Sequence, residues 1–159
     1  MKYYSFIMLK PDAIRRGLVS NIINTFIEAG YAIELFDYQI ASSEIIHKHY
    51  RDKIEIEGDS FKIKSTNTFN GQPVIPIIIS HYDKEIIKNV RKFIGATDPS
   101  KADKNTIRGR WAMDSMEVSE KENRCCENLI HASDSIDSFI REINIWFNIE
   151  VLKRFQNDM

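Results

Sequence analysis

The sequence has only two cysteines, Cys125 and Cys126, and they are adjacent. Neighbouring cysteines rarely bridge each other, and the C-x-x-C spacing of many metal sites does not occur. No run of about 18 apolar residues is present, which disfavours a membrane-spanning helix. The N-terminal residues also lack the long apolar core and the small-residue cleavage site of a signal peptide. We therefore expect a protein of the reducing cytoplasm, without membrane association.

An excess of charge of one sign is also missing. The chain has 22 Lys and Arg residues against 23 Asp and Glu residues, a net charge of −1. Nucleic-acid-binding domains usually carry a basic excess, so nucleic acid is not an expected partner. The G-x-x-x-x-G-K-[ST] and G-x-G-x-x-G signatures are absent, which disfavours Walker-type, dinucleotide-binding and protein-kinase phosphate loops. An H-E-x-x-H motif and a serine elbow are absent as well.

The bulk composition is that of an ordinary globular protein. The chain has 159 residues, of which 43% are hydrophobic and 28% are charged. This length suits one compact domain, so we expect a single domain over residues 1–159.

Apolar patterning alternates between strand-like and helix-like segments. Residues 3–9 form a near-continuous apolar run that fits a strand buried on both faces. Further strands are predicted over 31–40, 74–80 and 128–133. Helices are predicted over 14–30, from Ser42 or Ser43 to residue 50, over 83–94, and from Asp134 or Ser135 onward. The polar residues 52–70 predict a short helix within a loop, and residues 96–127 predict irregular structure.

This element order predicts the fold class. Two β-α-β halves in series favour an α+β, ferredoxin-like fold, with a four-stranded antiparallel sheet and helices on one face. That fold places the third strand inside the sheet, yet Pro76 lies within it. Proline cannot donate a hydrogen bond to a neighbouring strand, so we expect a local irregularity beside Pro76.

Four motifs then occur in order, and they resemble those of the nucleoside diphosphate kinase family. The family signatures are K-P-D, T-x-P, T-I-R-G and N-x-x-H-[GA]-S-D, with Trp-Phe near the end. Here they read Lys10-Pro11-Asp12, Thr97-Asp98-Pro99, Thr106-Ile107-Arg108-Gly109, Asn128-Leu129-Ile130-His131-Ala132-Ser133-Asp134 and Trp146-Phe147. The matches span residues 3–147. One short motif arises easily by chance, whereas four in register are specific.

The resemblance implies a reaction. The enzyme would move the terminal phosphate of a nucleoside triphosphate, typically ATP, to a nucleoside diphosphate by a ping-pong mechanism through a phosphohistidine on His131. A histidine that is neutral at pH 7 offers a nitrogen lone pair for such an attack. Glu142 matches the family glutamate that orients the histidine. Ser133 matches the supporting serine beside it, and it could also cap the last helix.

The resemblance also implies binding residues. Phosphate contacts are expected from Lys10, Arg91, Thr97 and Arg108, because phosphoryl transfer requires neutralisation of charge on the phosphate oxygens. Asn128, with Lys10, is expected at the ribose hydroxyls, and Tyr50, with Lys10, beside the reacting histidine. Phe61 is expected to stack on the base, with core packing as the alternative.

Cofactor and assembly follow from the same resemblance. Mg²⁺ is expected to arrive on the nucleotide phosphates, without a metal site of the protein itself. Self-association as a hexamer or a tetramer is expected.

The chain departs from the family pattern at three places. Ala13 stands where the family usually has glycine, and Lys104-Asn105 replace Pro-Gly before the T-I-R-G motif. Residues of about 110–127 form an inserted loop beside the expected base site. These changes leave open the alternative of a family member that only binds nucleotide or a protein partner, without turnover.

Overall fold

The computed structural model describes residues 1–156 of the chain. The strands are β1 (Tyr3–Leu9), β2 (Ala32–Phe36), β3 (Gln39–Ile40), β4 (Pro73–His81) and β5 (Ile130–Ala132). The helices are α1 (Pro11–Arg15), α2 (Val19–Glu28), α3 (Ser43–His49), α4 (Arg51–Glu57), α5 (Asp59–Phe69), α6 (Ile86–Ile94), α7 (Ile107–Trp111), α8 (Met116–Lys121), α9 (Ile136–Trp146) and α10 (Ile149–Gln156), with a 3₁₀ turn at Pro99–Lys101. Within this described range, no helix has the length and apolar character needed to cross a membrane.

The strands form an antiparallel sheet in the order β2-β4-β1-β5. Strand β1 pairs along its whole length with β4, from Tyr3 opposite His81 to Leu9 opposite Ile75. The short strand β3 adds to β4 beyond β2, so the sheet has five strands rather than the predicted four. The predicted α+β class with an antiparallel sheet is confirmed.

Pro76 accounts for the additional strand. It lies inside β4 opposite Met8, and its carbonyl accepts a hydrogen bond from the backbone N–H of Asp37 at 3.1 Å. In an antiparallel pair, the N–H and C=O of one residue point to the same neighbour, so the missing N–H of Pro76 also faces this region. The segment predicted as one strand over 31–40 is therefore interrupted at residues 37 and 38. The expected irregularity beside Pro76 is confirmed.

Helices cover both faces of the sheet, which corrects the prediction of helices on one face. One face carries Ile7, Leu9, Ile77 and Ile79, and it packs against apolar residues of α2 and α6. The other face carries Phe6, Met8 and Ile78, and it packs against α3, α9 and α10. The physical reason is that the central strands carry apolar side chains on both faces at nearly every position, so both of their faces must be removed from water.

The polar segments are more regular than their sequences suggested. Residues 52–70 contain most of α4 and all of α5, and residues 96–127 contain α7 and α8. Ser42 caps α3 by accepting from the N–H of Ile45, and Ser135 caps α9 in a capping box with Ser138. These caps decide between the alternatives left by the sequence. Ser133 does not cap α9, because its hydroxyl donates to the Glu142 carboxylate instead.

Candidate active site

His131 lies in the middle of β5, opposite Met8 of β1. Its neighbours Ile130 and Ala132 are buried in the core on the α2 and α6 side. Because side chains alternate along a strand, this burial turns His131 to the opposite face, beneath α3 and α9. The His131 side chain is 20% exposed there, so it borders a cleft instead of being sealed in the core.

Glu142 holds one nitrogen of the His131 ring. The Nε2 atom of His131 lies 2.8 Å from Oε1 of Glu142. The second carboxylate oxygen, Oε2, accepts a hydrogen bond from the hydroxyl of Ser133. With Glu142 ionised, the Nε2 position carries the proton, and the lone pair of the neutral ring lies on Nδ1.

The Glu142 carboxylate is ionised despite its burial. Its side chain is only 2% exposed, and burial by itself raises the pKa of a carboxyl group. The nearby His131 ring and the hydrogen bonds from His131 and Ser133 outweigh this effect, so the pKa of Glu142 lies below its ordinary value. A fixed negative charge is therefore present behind the ring at neutral pH.

Three aromatic rings surround the His131 ring. The ring centroids of Phe6, His49 and Tyr50 lie 6.2, 4.4 and 5.8 Å from that of His131, and His49 and Tyr50 make edge-on contacts. Burial raises the pKa of the Tyr50 hydroxyl, which keeps it protonated. These contacts fix the plane of the His131 ring.

Sequence reasoning missed His49 as a site residue. The indole N–H of Trp146 donates to Nδ1 of His49 at 3.1 Å, across 97 residues of sequence. The adjacent Tyr50 was the only sequence signal near His49, and a partner so distant in the chain leaves no local pattern.

Lys10 lies between β1 and α1 and lines the cleft. Its ammonium donates to the carbonyl of Cys126 at 2.6 Å and to Oδ1 of Asn128 at 2.9 Å. Burial lowers the pKa of Lys10, and the charge of Asp12 partly opposes this effect. An ammonium group has three N–H donors, so one remains after these two bonds.

Arg108 is buried at the other side of the cleft. Its guanidinium donates to the carbonyl oxygens of Gly95, Asn128 and Ile130 at 3.0, 3.2 and 2.6 Å. Burial and the nearby charge of Arg91 lower the pKa of Arg108 to about 10, which leaves it charged at neutral pH. Since a guanidinium has five N–H donors, two are not engaged by these bonds.

The T-I-R-G motif is explained by helix α7. Thr106 caps this helix by accepting from the N–H of Gly109, and its own hydroxyl donates to the carbonyl of Asp103. A Cβ atom at Gly109 would lie 1.8 Å from that same carbonyl oxygen. Glycine is therefore required for α7 to approach Asp103, and this approach fixes the position of Arg108.

A tight turn leads into β5. The N–H of Ile130 donates to the carbonyl of Asn128, and the intervening Leu129 has a φ of +72°. This γ-turn is strained for a bulky residue, by roughly 1–3 kcal/mol. The Asp12 carboxylate accepts a hydrogen bond from the N–H of Leu129 at 2.9 Å. The backbone N–H of Lys10 donates to the carbonyl of Leu129, also at 2.9 Å. The K-P-D motif thus braces the turn that presents His131.

Arg91 and Thr97 complete the set of residues at the cleft. Arg91 donates to the carbonyl of Ala132 at 3.1 Å, and the carbonyl of Thr97 accepts from the side-chain amide of Asn128 at 2.9 Å. Asn128 therefore ties the Thr97 loop to Lys10. Its amide makes two hydrogen bonds within the protein itself.

Phe61 lies at the far end of the cleft. Its ring contacts Tyr50 edge-on at 5.4 Å, and the ammonium of Lys53 lies 4.5 Å from the ring centroid. Phe61 is only 5% exposed, and Lys53 lies over a face to which a base could stack. Stacking at this ring consequently requires Lys53 to move aside.

One cleft is lined by His49 and by every predicted site residue except Ser133, namely Lys10, Tyr50, Phe61, Arg91, Thr97, Arg108, Asn128, His131 and Glu142. Ser133 lies behind Glu142. The cleft has a volume of about 250 Å³, and α8 contributes Met116, Ser119 and Glu120 to its wall. A larger and more open depression of about 780 Å³ lies next to it along α6, and Arg91, Thr97 and Asp134 line both. The smaller cleft contains the residues predicted to be catalytic, Lys10, Tyr50, His131 and Glu142, and the two depressions adjoin.

The cluster of His49, His131 and Glu142 has the composition of a metal site. One ligand atom from each residue lies within 4.8 Å of the others. However, the hydrogen bond from Trp146 to Nδ1 of His49 fixes the proton of a neutral ring on Nε2, and Nε2 of His131 is bonded to Glu142. A neutral His49 therefore has no free lone pair for a metal, so this cluster fits a hydrogen-bonded network better than a resident metal held by all three residues.

Comparison with known proteins places the chain in a family. A family model described as nucleoside diphosphate kinase matches residues 4–151. The chain belongs to the nucleoside diphosphate kinase family. The nucleoside diphosphate kinase of Drosophila yakuba is 33% identical over 147 residues, which cover 92% of this chain and 88% of the fly protein.

Solved structures of the nucleoside diphosphate kinase family have the same fold. The enzyme from Borrelia burgdorferi, a transition state mimic with bound vanadate and ADP, superposes with a TM-score of 0.86 at 28% identity, over 94% of this chain and 89% of that chain. An NDP kinase from Pyrobaculum aerophilum superposes with a TM-score of 0.82 at 28% identity, over 94% and 98% of the two chains. The protein is thus a phosphotransferase that acts on nucleotides.

Proposed function

We propose that the protein transfers the terminal phosphate of a nucleoside triphosphate, typically ATP, to a nucleoside diphosphate through a phosphohistidine on His131. The observation that carries this proposal is the contact of His131 Nε2 with the ionised Glu142. It assigns the free lone pair of the ring to Nδ1, for which no hydrogen-bond partner is found in the described part of the chain.

The chemical steps follow from this geometry. Nδ1 attacks the terminal phosphorus, a new P–N bond forms, and the P–O bond to the diphosphate breaks as that diphosphate leaves with the electron pair. The ring becomes more positive during the attack, and the Glu142 carboxylate behind it stabilises that charge. A second diphosphate then attacks the phosphohistidine, and the same steps run in reverse.

Four side chains are proposed to bind the phosphates. The spare donors of Lys10 and Arg108 suit oxygens of the transferred group, and Arg91 and Thr97 border the opening through which the phosphates enter. Asn128 is proposed at the ribose hydroxyls, and Phe61 at the base after displacement of Lys53. Tyr50 is proposed to support the His131 ring.

Mg²⁺ is proposed to arrive on the nucleotide. It prefers oxygen ligands and commonly retains water and phosphate ligands, which the nitrogen-rich cluster around His131 does not supply. Asp134 is a carboxylate at the junction of the two depressions, and it could contact the water shell of the ion. The metal supplies charge neutralisation on the phosphates.

A labelling experiment tests the proposal. With Mg²⁺ and ATP labelled on its terminal phosphate, the full chain is expected to acquire acid-labile, base-stable label, and His131→Ala is expected to acquire none. The matched control is His81→Ala, because His81 lies at the far end of β4 and outside the cleft. Full transfer by His131→Ala would refute the proposal.

Self-association is also proposed, as a hexamer or a tetramer. Strand β2 is an edge strand, and the segment that includes it exposes Phe36, Tyr38 and Ile40 by 62%, 59% and 60%. Such an edge with alternating exposed apolar side chains favours pairing with a second copy. Light scattering coupled to gel filtration measures the mass, and Phe36→Lys is expected to lower it.

Two further expectations extend this proposal. We propose one domain over residues 1–159, with an insertion at about 110–127 that supplies α8 to the cleft wall. We also propose the cytoplasm as the compartment, because Cys125 and Cys126 carry free thiols.

A further inference from the structure

His49 is the last residue of α3 and is only 2% exposed. It borders the cleft, and its ring contacts the His131 ring edge-on with centroids 4.4 Å apart. A ring nitrogen of each histidine and an oxygen of Glu142 lie within 4.8 Å of one another. His49 therefore adjoins the atoms where the proposed transfer takes place.

Trp146 determines which nitrogen of His49 carries the proton. The indole N–H is a donor only, so the nitrogen that faces it, Nδ1 of His49, must be the acceptor. Burial lowers the pKa of His49 to about 3, with a smaller contribution from the charge of His131 when it is protonated. The ring is thus neutral at physiological pH, and its single proton lies on Nε2.

The Nε2–H group of His49 is a donor without an acceptor. It is buried and finds no hydrogen-bond partner among residues 1–156. An unsatisfied buried donor costs free energy, and it is uncommon enough in folded proteins to require a reason. At a site that receives an anionic group, an oxygen of the substrate is an acceptor that can satisfy such a donor.

We propose that His49 Nε2–H donates a hydrogen bond to an oxygen of the phosphoryl group as it is transferred to and from His131. This inference rests on the proposed function. His49 contacts the reacting group and is a catalytic residue in this scheme, whereas Trp146 acts through His49 and is a positioning residue. No proton is transferred by His49, because its role is to stabilise charge on the phosphoryl oxygens.

The test compares two substitutions in the full chain. His49→Phe keeps a ring and removes the donor, and His49→Gln keeps an N–H near the position of Nε2. The rate of phosphoenzyme formation from ATP, followed by quenched flow, is expected to fall about 10- to 100-fold in His49→Phe, since one donor to a developing anion commonly contributes a factor of about this size or larger. His49→Gln is expected to recover most of the loss. His47→Gln is the matched control, because His47 lies on the same helix but outside the cleft.

Trp146→Phe separates hydrogen bonding from packing, and it keeps the test decisive if His49→Phe does not fold. In the presence of His49, this substitution removes the hydrogen bond that keeps the His49 proton on Nε2. It is expected to slow phosphoenzyme formation about 3- to 10-fold. In the His49→Gln background it is expected to have little effect, because glutamine needs no partner to remain a donor. A purely structural role of Trp146 predicts the same loss in both backgrounds.

The outcomes distinguish failure of the proposed function from failure of the role assigned to His49. If the unmodified protein forms no phosphohistidine, the proposed function fails, and the role of His49 fails with it. If it forms phosphohistidine and His49→Phe matches its rate within twofold, only the role of His49 is refuted. Equal losses in His49→Phe and His49→Gln, with both variants folded by circular dichroism, would also refute it.

Discussion

Replacement of Glu142 by glutamine tests how the buried carboxylate controls His131. Glutamine keeps the shape of the side chain and removes its charge. A hydrogen bond to a charged group contributes about 1.5–3 kcal/mol, and a neutral one about 0.5–1.5 kcal/mol. The difference of roughly 1–2 kcal/mol corresponds to a loss of about 5- to 30-fold in the rate of phosphoenzyme formation, if the ring keeps its tautomer.

The orientation of the new amide determines the size of the loss. If its oxygen faces Nε2 of His131, the NH₂ group faces the hydroxyl of Ser133, which can accept its hydrogen bond. If the amide is reversed, Nε2 must accept, the ring proton moves to Nδ1, and the nucleophilic lone pair is lost. A wrong tautomer of this kind costs about 10⁴-fold in a serine protease.

Single-turnover quenched flow with ATP measures this effect. We expect a loss of at least about fivefold in Glu142→Gln, with little change in ATP affinity, because the Glu142 oxygens bond to His131 and Ser133. Asp137→Asn is the matched control, since Asp137 is exposed on the same helix. A Glu142→Gln rate equal to that of the unmodified protein would refute the role assigned to the carboxylate.

The contribution of the Glu142 charge to the free energy of unfolding also depends on pH, and Glu142→Gln measures it. The pKa of Glu142 in the folded protein lies below the ordinary value of 4.5. Its ionised form therefore stabilises the fold fully above about pH 4.5, and this contribution is lost as the pH falls through the folded pKa. Urea denaturation at pH 5 and pH 3 is expected to show a larger difference between the unmodified protein and Glu142→Gln at pH 5, because the carboxylate loses its charge within this window. A difference that grows from pH 5 to pH 3 would contradict this assignment.

Three further predictions concern stability. Phe139 of α9 is fully buried, so Phe139→Ala is expected to lower the free energy of unfolding by about 3–5 kcal/mol in urea denaturation. A loss below about 1 kcal/mol would contradict this packing. Asp114 bonds both terminal nitrogens of Arg124, and its pKa is lowered to about 2 because these bonds outweigh its burial. Asp114→Asn is therefore expected to speed amide exchange in residues 110–127 at pH 7. The difference in exchange rate between this variant and the unmodified protein is expected to shrink between about pH 4 and pH 2. Absence of this trend would show that the pair does not form. Lys64 and Glu120 pair at 2.5 Å, and the carboxylate is more than half exposed. A double-mutant cycle is therefore expected to give a coupling energy of at most about 1 kcal/mol that decreases with added salt. A coupling energy independent of salt would argue against the pair.

The arrangement of the sheet could be predicted from local patterns. Near-continuous apolar runs predicted the buried strands β1 and β4. Pro76 predicted a local irregularity, but the resulting break between β2 and β3 was not predicted, because residues 31–40 read as one strand. The same runs contained the information that both faces of the sheet are covered. The prediction of helices on one face failed because it followed the element order and did not ask what covers the second face of β1.

The helices α4, α5 and α8 were harder to predict. Their sequences are polar, and their apolar periodicity is weak, so local pattern gives little signal. Contacts between distant segments stabilise them instead, such as the ion pair between Lys64 of α5 and Glu120 of α8. Interactions of this kind depend on the folded chain and have no local signature.

Some features of the candidate site could also be predicted from the sequence, and others could not. Family motifs identified His131, Glu142 and the basic residues around the cleft. The γ-turn at Leu129 and the hydrogen bond between Trp146 and His49 depend on contacts between residues far apart in the sequence. The sequence alone therefore predicted the proposed reactive groups, but not all of the contacts that orient them in the structure.

The central claim is that Glu142 leaves Nδ1 of His131 as the nucleophile, and the position of the phosphate on the ring tests it most directly. Phosphorus NMR of the phosphoenzyme formed with ATP, compared with phosphohistidine standards of both isomers, identifies the nitrogen that carries the group. The account predicts phosphate on Nδ1 of His131. Phosphate on Nε2, or on any other residue, would contradict it.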